Sequence, residues 1–201
     1  MDKEEFLQKY FQYYLALEDD FIETTRYVQL SESNYKTFSI EYTKQYQAIC
    51  SEIDVLCKEI CKSFGSTTAE KFPDYTGVIL SNFNDITSRV VNVGLNSKIN
   101  LKPFKDWKPK PNYKSPQWWT DYNSVKHERN NNFENANLEN VLNSLSGLYM
   151  LEKYFLKDIC NRTNNEFDIP DKESQLFEIN NWKSNMISIA PNMCVKILGE
   201  E

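Results

Sequence analysis

The sequence predicts a mainly α-helical protein: a bundle of four or more helices with small β-strand or hairpin decorations. Apolar residues recur at steps of three and four along four long segments, the spacing that places them on one helical face. The 201 residues include only five glycines and seven prolines, which disfavours a turn-rich sandwich or barrel. Hydrophobic residues make up 40% of the chain, enough for the core of such a bundle.

The first two helices are predicted over residues 3–30 and about 35–64. Polar residues at 31–34 form the turn between them and offer N-cap groups. Gly65 follows the second helix at a natural C-cap position, because glycine readily adopts the left-handed conformation that ends many helices. We expect the two apolar faces to pack against one another as an antiparallel pair.

Shorter elements are predicted in the middle of the chain. A helix is expected from Pro73 to about Asn84. Short β-strands are expected at 88–94 and 98–101, with a turn at 94–97, because β-branched residues flank a glycine there. Residues 102–116 contain four prolines and little periodicity, which predicts a long loop with a packing or functional role.

Two more helices are predicted in the second half of the chain. The first begins with Pro116 in its first turn and is broken by the asparagine run 130–132. Asn137 then caps the helix with the most regular apolar stripe in the sequence, which extends to Ile159. Glu152 is the single polar residue that interrupts this stripe.

The C-terminal residues are predicted to be extended. Short strands or packed extended segments are expected at 175–179, 186–189 and 194–198. Residues 1–165 are interpreted as the helical bundle, with a loop and β insertion at about 86–115. Residues 166–201 are interpreted as an extended appendage packed on the bundle.

Charge and hydropathy limit the partners of the protein. The formal net charge is −6, so most of the surface would repel nucleic acid and any contact with it must be local. The charged N-terminus lacks the apolar segment of a signal peptide, and no window approaches the ~18 apolar residues of a membrane span. We therefore expect a soluble, cytoplasmic protein with no membrane partner.

Motifs for metals and nucleotides are missing from the sequence. Cys50, Cys57 and Cys61 share one helical face, a pattern that fits a metal or redox cluster but is favoured as a set of small buried hydrophobes. The chain has a single histidine, which weakens a zinc site further, so we expect no metal and no cofactor. There is no glycine-rich phosphate loop, serine nucleophile elbow or dinucleotide fingerprint, which disfavours nucleotide-driven enzymes.

The region around His127 is the strongest candidate for chemistry. On a helix, Asn123 and His127 lie one turn apart on the same face, and Tyr122 and Lys126 form the adjacent row. An imidazole can move a proton near neutral pH, a guanidinium can stabilise charge on a phosphate, and an amide can orient it. Arg129 reaches the face of His127 only if the helix unwinds at the asparagine run. The competing interpretation is a histidine that packs beside two tryptophans.

This region resembles the HEPN superfamily of prokaryotic helical bundles. Members commonly carry arginine, a polar residue, three variable positions and histidine before a long apolar helix, and Asn123 and His127 match the polar and histidine positions. The resemblance covers mainly residues 116–160. Tyr122 stands where the family has arginine, and we assign it a structural or orienting role. The nearest arginine, Arg129, lies on the other side of His127 and would have to substitute.

The resemblance implies several functional properties. Many HEPN proteins are metal-independent ribonucleases of toxin–antitoxin and antiphage systems, and others bind RNA or partners without cleaving. A homodimer is implied, because HEPN domains often pair so that two motifs face one groove. An antitoxin-like protein partner is a further expectation.

Asp54 is a candidate orienting group on the second helix. It falls on the same stripe as the three cysteines, so its carboxylate is predicted to point toward the core, where it must be paired or neutral. We hypothesise that it reaches a basic group of the candidate site, namely Lys126, His127 or Arg129. The alternative is an intrahelical pair with Lys58, which would leave Asp54 at the surface edge.

A local excess of positive charge provides a second candidate surface. Between residues 98 and 114, six lysines accompany one acid, Asp106, so this segment carries +5 and the remainder of the chain −11. Phe104, Trp107 and Tyr113 are interleaved, and lysines with stacking rings are typical of surfaces that bind single-stranded RNA. The residues assigned to RNA binding are Lys102, Lys105, Lys108, Lys110, Trp107 and Lys126. The favoured alternative is a solvated loop whose aromatic residues plug the bundle.

The leading functional hypothesis from the sequence is a HEPN-like protein that engages RNA, with metal-independent cleavage as its potential activity. His127 would act as general base or acid, Arg129 would stabilise the transition state, and Asn123 would position the ribose phosphate. The alternative is a non-catalytic interaction or structural protein in which these residues form a buried polar network. An open groove that exposes His127 and Arg129 beside the lysine-rich segment 98–114 would favour the first hypothesis.

Overall fold

The computed structural model of the protein describes residues 1–96, 98–163, 167–185, 188–190 and 193–194. It confirms a mainly α-helical fold with small β-strands. The helices are α1 (Lys3–Phe6), α2 (Gln12–Thr24), α3 (Ile40–Ser63), α4 (Phe72–Asn82), α5 (Gln117–Asn132) and α6 (Leu138–Arg162). The strands are β1 (Val91–Val93), β2 (Asn100–Leu101), β3 (Phe177–Ile179), β4 (Ser188–Ala190) and β5 (Met193–Cys194). Within the described ranges, every helix is too short or too polar to span a membrane.

The first predicted helix is continuous but ends earlier than the sequence suggested. A π-helical turn, Leu7–Phe11, joins α1 to α2, and the helix stops at Thr24 and not at residue 30. The amide of Thr25 donates to the carbonyl of Ile22 at 3.1 Å, and the threonine hydroxyl donates to the same carbonyl at 2.7 Å. Such i to i+3 bonds tighten the last turn, and threonine side chains compete for the backbone groups that would continue the helix.

The second predicted helix begins later than expected and ends where predicted. The hydroxyl of Ser39 accepts from the amide of Tyr42 at 3.0 Å, so α3 starts at Ile40. Residues 35–39 instead bond to the start of α6, where the amide of Leu138 donates to the carbonyl of Thr37 at 2.9 Å. Gly65 follows α3 with φ of 82°, which confirms the predicted glycine C-cap.

The core lies between three helical layers. α3 and α6 carry the longest buried faces and pack against each other, and the α1–α2 segment packs against both. The side-chain amide of Gln45 donates to the carbonyl of Asp20 at 3.0 Å, whereas Gln12 lies in one cleft with Glu52. Higher residue numbers in α2 thus meet lower numbers in α3, which is the predicted antiparallel pairing.

The cysteines of α3 belong to this core. Cys50, Cys57 and Cys61 are buried and free, and burial raises the pKa of Cys61 to about 11. Within the described part of the chain, no group of three or more histidine, cysteine or acidic side chains is arranged to hold a metal ion. The shared face therefore packs as small apolar side chains would.

Three of the strands form one small antiparallel sheet. β1 lies in the middle, with Val91 opposite Leu101 of β2 on one side and Ile179 of β3 on the other. The strands expected at 88–94, 98–101 and 175–179 are therefore present in shorter form. The expectations for 186–189 and 194–198 fall partly outside the described residues; within those residues, β4 and β5 pair antiparallel.

Candidate functional site

The candidate region lies on α5, which is interrupted near its end. Glu128 has φ of −137° and ψ of 53°, so the helical path breaks between His127 and Arg129. The sequence placed the break at the asparagine run 130–132, but the helix resumes after Glu128 and extends to Asn132. The side-chain amide of Asn132 donates to the carbonyl of Glu128 at 2.9 Å, a bond to the backbone at the break itself.

The break brings His127 and Arg129 to one cleft. Two residues that lie two positions apart on a regular helix point in roughly opposite directions. Here both residues are exposed and line an open cleft of about 340 Å³, which we call the His127 cleft. Its lining residues are Gln47, Val125, Lys126, His127, Glu128, Arg129, Asn130 and Asn131. Gln47 comes from α3, and the periodicity of the sequence does not predict that it lies beside α5 in this cleft.

Asn123 does not line the cleft with His127. Its side chain is half-buried, and its amide donates to the carbonyl of Trp119 at 2.9 Å, one turn earlier on the same helix. The polar group is therefore already engaged with α5 itself. The spacing of four residues correctly places Asn123 one turn from His127, but the cleft forms only around the end of the helix.

Tyr122 is a packing residue at the position where the resembling family has arginine. Its ring is 6% exposed and meets the ring of Tyr46 at 5.8 Å and that of Trp119 at 5.2 Å between centroids. Burial raises the pKa of Tyr122 to about 12, so the hydroxyl stays neutral. Lys126 lies over this ring with its ammonium 5.7 Å from the centroid, and it extends into the cleft. Cations near the cleft are therefore supplied by Lys126 and Arg129.

The hypothesis that Asp54 reaches the candidate site is wrong. Its carboxylate is 35% exposed and pairs with the ammonium of Lys58 at 3.0 Å, one turn along α3. The hydroxyl of Tyr75, from α4, also donates to Asp54 at 3.2 Å. The intrahelical alternative holds because Asp54 lies at the edge of the apolar stripe, where two partners are available without crossing toward α5.

A polar network does exist, but about two to three turns before His127, and of its interacting side chains only Asn140 is buried. Asp121 accepts from the side-chain amide of Gln117 at 2.9 Å and from that of Asn140 at 3.0 Å. Asn140 also donates to the carbonyl of Asn135 at 2.9 Å, so the network ties α5 to the start of α6. Residue spacing did not reveal this network, because its members come from three separate segments.

The lysine loop, residues 102–116, divides into buried rings and exposed cations. Trp107 is 2% exposed and stacks on Phe104 and Phe72 with centroids 4.9 and 5.0 Å away. Its assignment to RNA binding is therefore wrong, because a ring enclosed on both faces cannot stack on a base. The alternative interpretation, in which the aromatic residues plug the bundle, is correct for these rings.

The lysines of the loop differ in their partners. Lys110 pairs with Asp74 of α4 at 3.1 Å, and Lys114 pairs with Asp106 at 3.2 Å. The remaining three predicted RNA-binding lysines of the loop are exposed: Lys102, Lys105 and Lys108. No loop lysine lines the His127 cleft, since the loop joins the start of α5 and the cleft lies about 15 Å along that helix.

The His127 cleft combines a proton-transfer group with two cations. His127, Arg129 and Lys126 are exposed and line the cleft together with one acidic residue, Glu128. This set can bind a phosphate group and move a proton to or from it. Comparison with known protein families, with curated proteins and with solved structures finds no match for this chain.

Proposed function

We propose that the protein binds RNA in the His127 cleft and cleaves it without a metal ion. The observation that carries this proposal is the break at Glu128, which puts His127 and Arg129 into one open cleft. Both residues are exposed, and neither belongs to the polar network around Asp121. The HEPN resemblance of the same segment supports RNA as the substrate over other phosphate esters.

The cleavage uses the ribose 2′-hydroxyl as nucleophile. Neutral His127 takes the proton of this hydroxyl, the 2′-oxygen forms a bond to phosphorus, and the bond from phosphorus to the 5′-oxygen breaks. The 5′-oxygen takes a proton from water, and the hydroxide that remains takes the proton from the His127 imidazolium. The products are a 2′,3′-cyclic phosphate end and a 5′-hydroxyl end, with His127 neutral again. Arg129 stabilises the charge that develops on the phosphorane, and Lys126 adds attraction for the phosphate.

The biological setting that the resemblance supports is a prokaryotic defence or toxin–antitoxin system. In that setting the protein acts as a homodimer, with two His127 clefts facing one groove, and an antitoxin-like protein restrains it. A dimer would also supply a second imidazole, which could protonate the leaving 5′-oxygen. Analytical ultracentrifugation of the isolated chain tests this part, and a monomer at micromolar concentration would contradict it.

Cleavage of mixed RNA in the presence of a chelator tests the proposed activity. We expect wild-type protein to produce fragments with 2′,3′-cyclic phosphate ends, and His127→Ala to lower the rate by about 10²–10⁴-fold. Arg129→Ala should lower it by about 10²-fold or more. Arg26→Ala is the matched control, because Arg26 is an exposed arginine outside the cleft, and it should leave the rate unchanged.

Two outcomes would overturn this proposal. Equal absence of cleavage by wild type and His127→Ala would remove the enzymatic claim. Cleavage that persists in His127→Ala would place the activity elsewhere or in a contaminant.

A further inference from the structure

The segment after β2 alternates buried and exposed side chains with a period of three. The amide of Lys105 donates to the carbonyl of Lys102 at 3.2 Å, and that of Trp107 donates to Phe104 at 3.0 Å. Bonds from i to i+3 place residues three apart on the same side of the chain. Phe104 and Trp107 thus face the core, whereas Lys102, Lys105 and Lys108 face solvent.

The backbone under these three lysines is held in place. The indole nitrogen of Trp118 donates to the carbonyl of Pro103 at 2.8 Å, and the rings of Phe104 and Trp107 are enclosed by the core. At the far end, Lys108 and Lys114 exchange two backbone hydrogen bonds of 2.9 and 3.1 Å. A ligand bound here would therefore order lysine side chains but not the loop, which lowers the entropic cost of binding.

The charge of the three lysines is not neutralised nearby. Asp106, the one acid of the loop, pairs with Lys114, and Asp74 pairs with Lys110. Among the described residues, no carboxylate lies within ion-pair distance of Lys102, Lys105 or Lys108. The segment 98–114 carries +5 on a chain that carries −11 elsewhere, so anions gather here and are repelled from most other surfaces.

We propose that Lys102, Lys105 and Lys108 bind the sugar–phosphate backbone of an RNA strand without reading its bases. A turn closed by an i to i+3 bond, such as that from Lys102 to Lys105, separates residues three apart by about 6 Å, a spacing that neighbouring phosphates of an extended strand can match. The two rings interleaved with these lysines, Phe104 and Trp107, are buried, so recognition by the three lysines is by charge and independent of base sequence.

This inference rests on the proposed function in one respect. The strand that these lysines hold is taken to be the strand whose phosphate enters the His127 cleft, which lies about 15 Å along α5 from the end of the lysine loop. RNA long enough to contact both sites is therefore held more tightly than RNA that fills the cleft alone.

Binding of a labelled single-stranded RNA, measured by fluorescence anisotropy, tests the surface. The probe is a mixed-sequence 2′-O-methyl RNA, which cannot be cleaved through its 2′-oxygen, so binding is separated from the proposed activity. The test variant is Lys102→Gln, Lys105→Gln and Lys108→Gln combined. The control combines Lys9→Gln, Lys62→Gln and Lys172→Gln. These substitutions remove the same amount of positive charge from three exposed lysines elsewhere on the surface.

We expect the test variant to bind about tenfold or more weakly at low salt, and the control to bind much as wild type does. Between about 50 and 200 mM salt, the slope of log Kd against log salt should fall by about 2 in the test variant, since each phosphate contact contributes about 0.7. Oligo-U and oligo-A should bind wild type with similar affinity.

Three results would overturn the inference. The test variant could bind RNA as tightly as wild type, or the test and control variants could both lose the same affinity for RNA. Wild type could also bind polyglutamate through these lysines more tightly than it binds RNA. Each leaves the cleavage assay with His127→Ala to decide the proposed function separately. Conversely, a finding that wild type does not cleave RNA would overturn the proposed activity, and this binding measurement would still test the lysines.

Discussion

Glu152 places a carboxyl group in the centre of the core. The residue is fully buried, and neither carboxyl oxygen has a hydrogen-bond partner among the described residues. Burial raises the pKa of Glu152 well above its usual range, and the carboxylate of Glu52 on α3 raises it further. Because an unpaired charge in the core is far more costly than a neutral polar group, burial favours the protonated form of Glu152 in the folded protein.

We expect the free energy of unfolding to fall as the pH rises, in part because of Glu152. In the unfolded chain a glutamate ionises near about pH 4.3, whereas in the fold it keeps its proton to higher pH. The contribution of this group to stability is complete below the unfolded pKa. It is lost as the pH rises toward the folded pKa, by up to about 1.4 kcal/mol per pH unit.

Glu152→Gln should flatten this dependence, because the amide cannot ionise. The measurement is urea denaturation of both proteins from about pH 5 to 8. Glu134→Gln serves as control, because Glu134 is exposed, and its curve should run parallel to that of wild type. Parallel curves for wild type and Glu152→Gln would show that Glu152 does not titrate differently in the fold.

Residue positions were predictable from the sequence to the extent that helical periodicity determines them. Glu152 interrupts an apolar stripe and is buried, as its place in the stripe indicated. Asp54 also falls on a stripe but is one-third exposed, since periodicity assigns a face and not the extent to which a neighbouring helix covers its edge. The shared cleft of His127 and Arg129 was harder still to predict from the sequence, because the break at Glu128 leaves no periodic signal.

Helix boundaries were predictable where the signal is local. Asn137 accepts from the amide of Asn140 at 3.1 Å, and its own amide donates to the carbonyl of Glu134 at 2.9 Å. The capping bond from Asn137 to Asn140 spans only four residues of sequence, and the sequence predicted this cap. The sequence placed the start of α3 too early. Residues 35–39 instead bond to the start of α6, about 100 residues away in the chain, and such a contact leaves no local signal.

Asn137→Ala should lower the free energy of unfolding by about 1 kcal/mol or somewhat more. Alanine leaves the amide of Asn140 without its side-chain acceptor at the first turn of the longest helix. Asn137→Ser keeps an acceptor at the cap and should retain most of the stability. Urea denaturation of the three proteins provides the comparison, and an equal loss in the serine and alanine variants would rule out capping as the cause.

Contacts between the N-terminal helix α2 and residues 174–176 join distant parts of the chain. Glu18 of α2 is fully buried and accepts from Tyr14 at 2.5 Å and from the hydroxyl of Ser174. It also accepts from the backbone amides of Gln175 and Leu176 at 2.9 and 3.3 Å. One carboxylate therefore satisfies both side chains and backbone where the C-terminal segment leads into β3.

Other long-range contacts reinforce this connection. Lys153 of α6 is buried and pairs with Glu173 at 3.1 Å, and Lys3 donates to the carbonyl of Phe167 at 2.7 Å. Partners as far apart as Lys3 and Phe167 leave no periodic or local pattern in a single sequence. The sequence predicted extended segments after residue 166, but it could not predict that β3 would complete a sheet with β1 and β2.

Glu18→Ala should destabilise the whole fold and not only its C-terminal segment. The change leaves the amides of Gln175 and Leu176 without an acceptor in a buried site, which costs about 3 kcal/mol or more. Hydrogen exchange should therefore accelerate in peptides from 167–185 and also in peptides from α6, against which β3 and Glu173 pack. Glu23→Ala, an exposed change near the end of the same helix, is the control. Faster exchange confined to 167–185 would instead show that this segment folds onto a bundle that is stable without it.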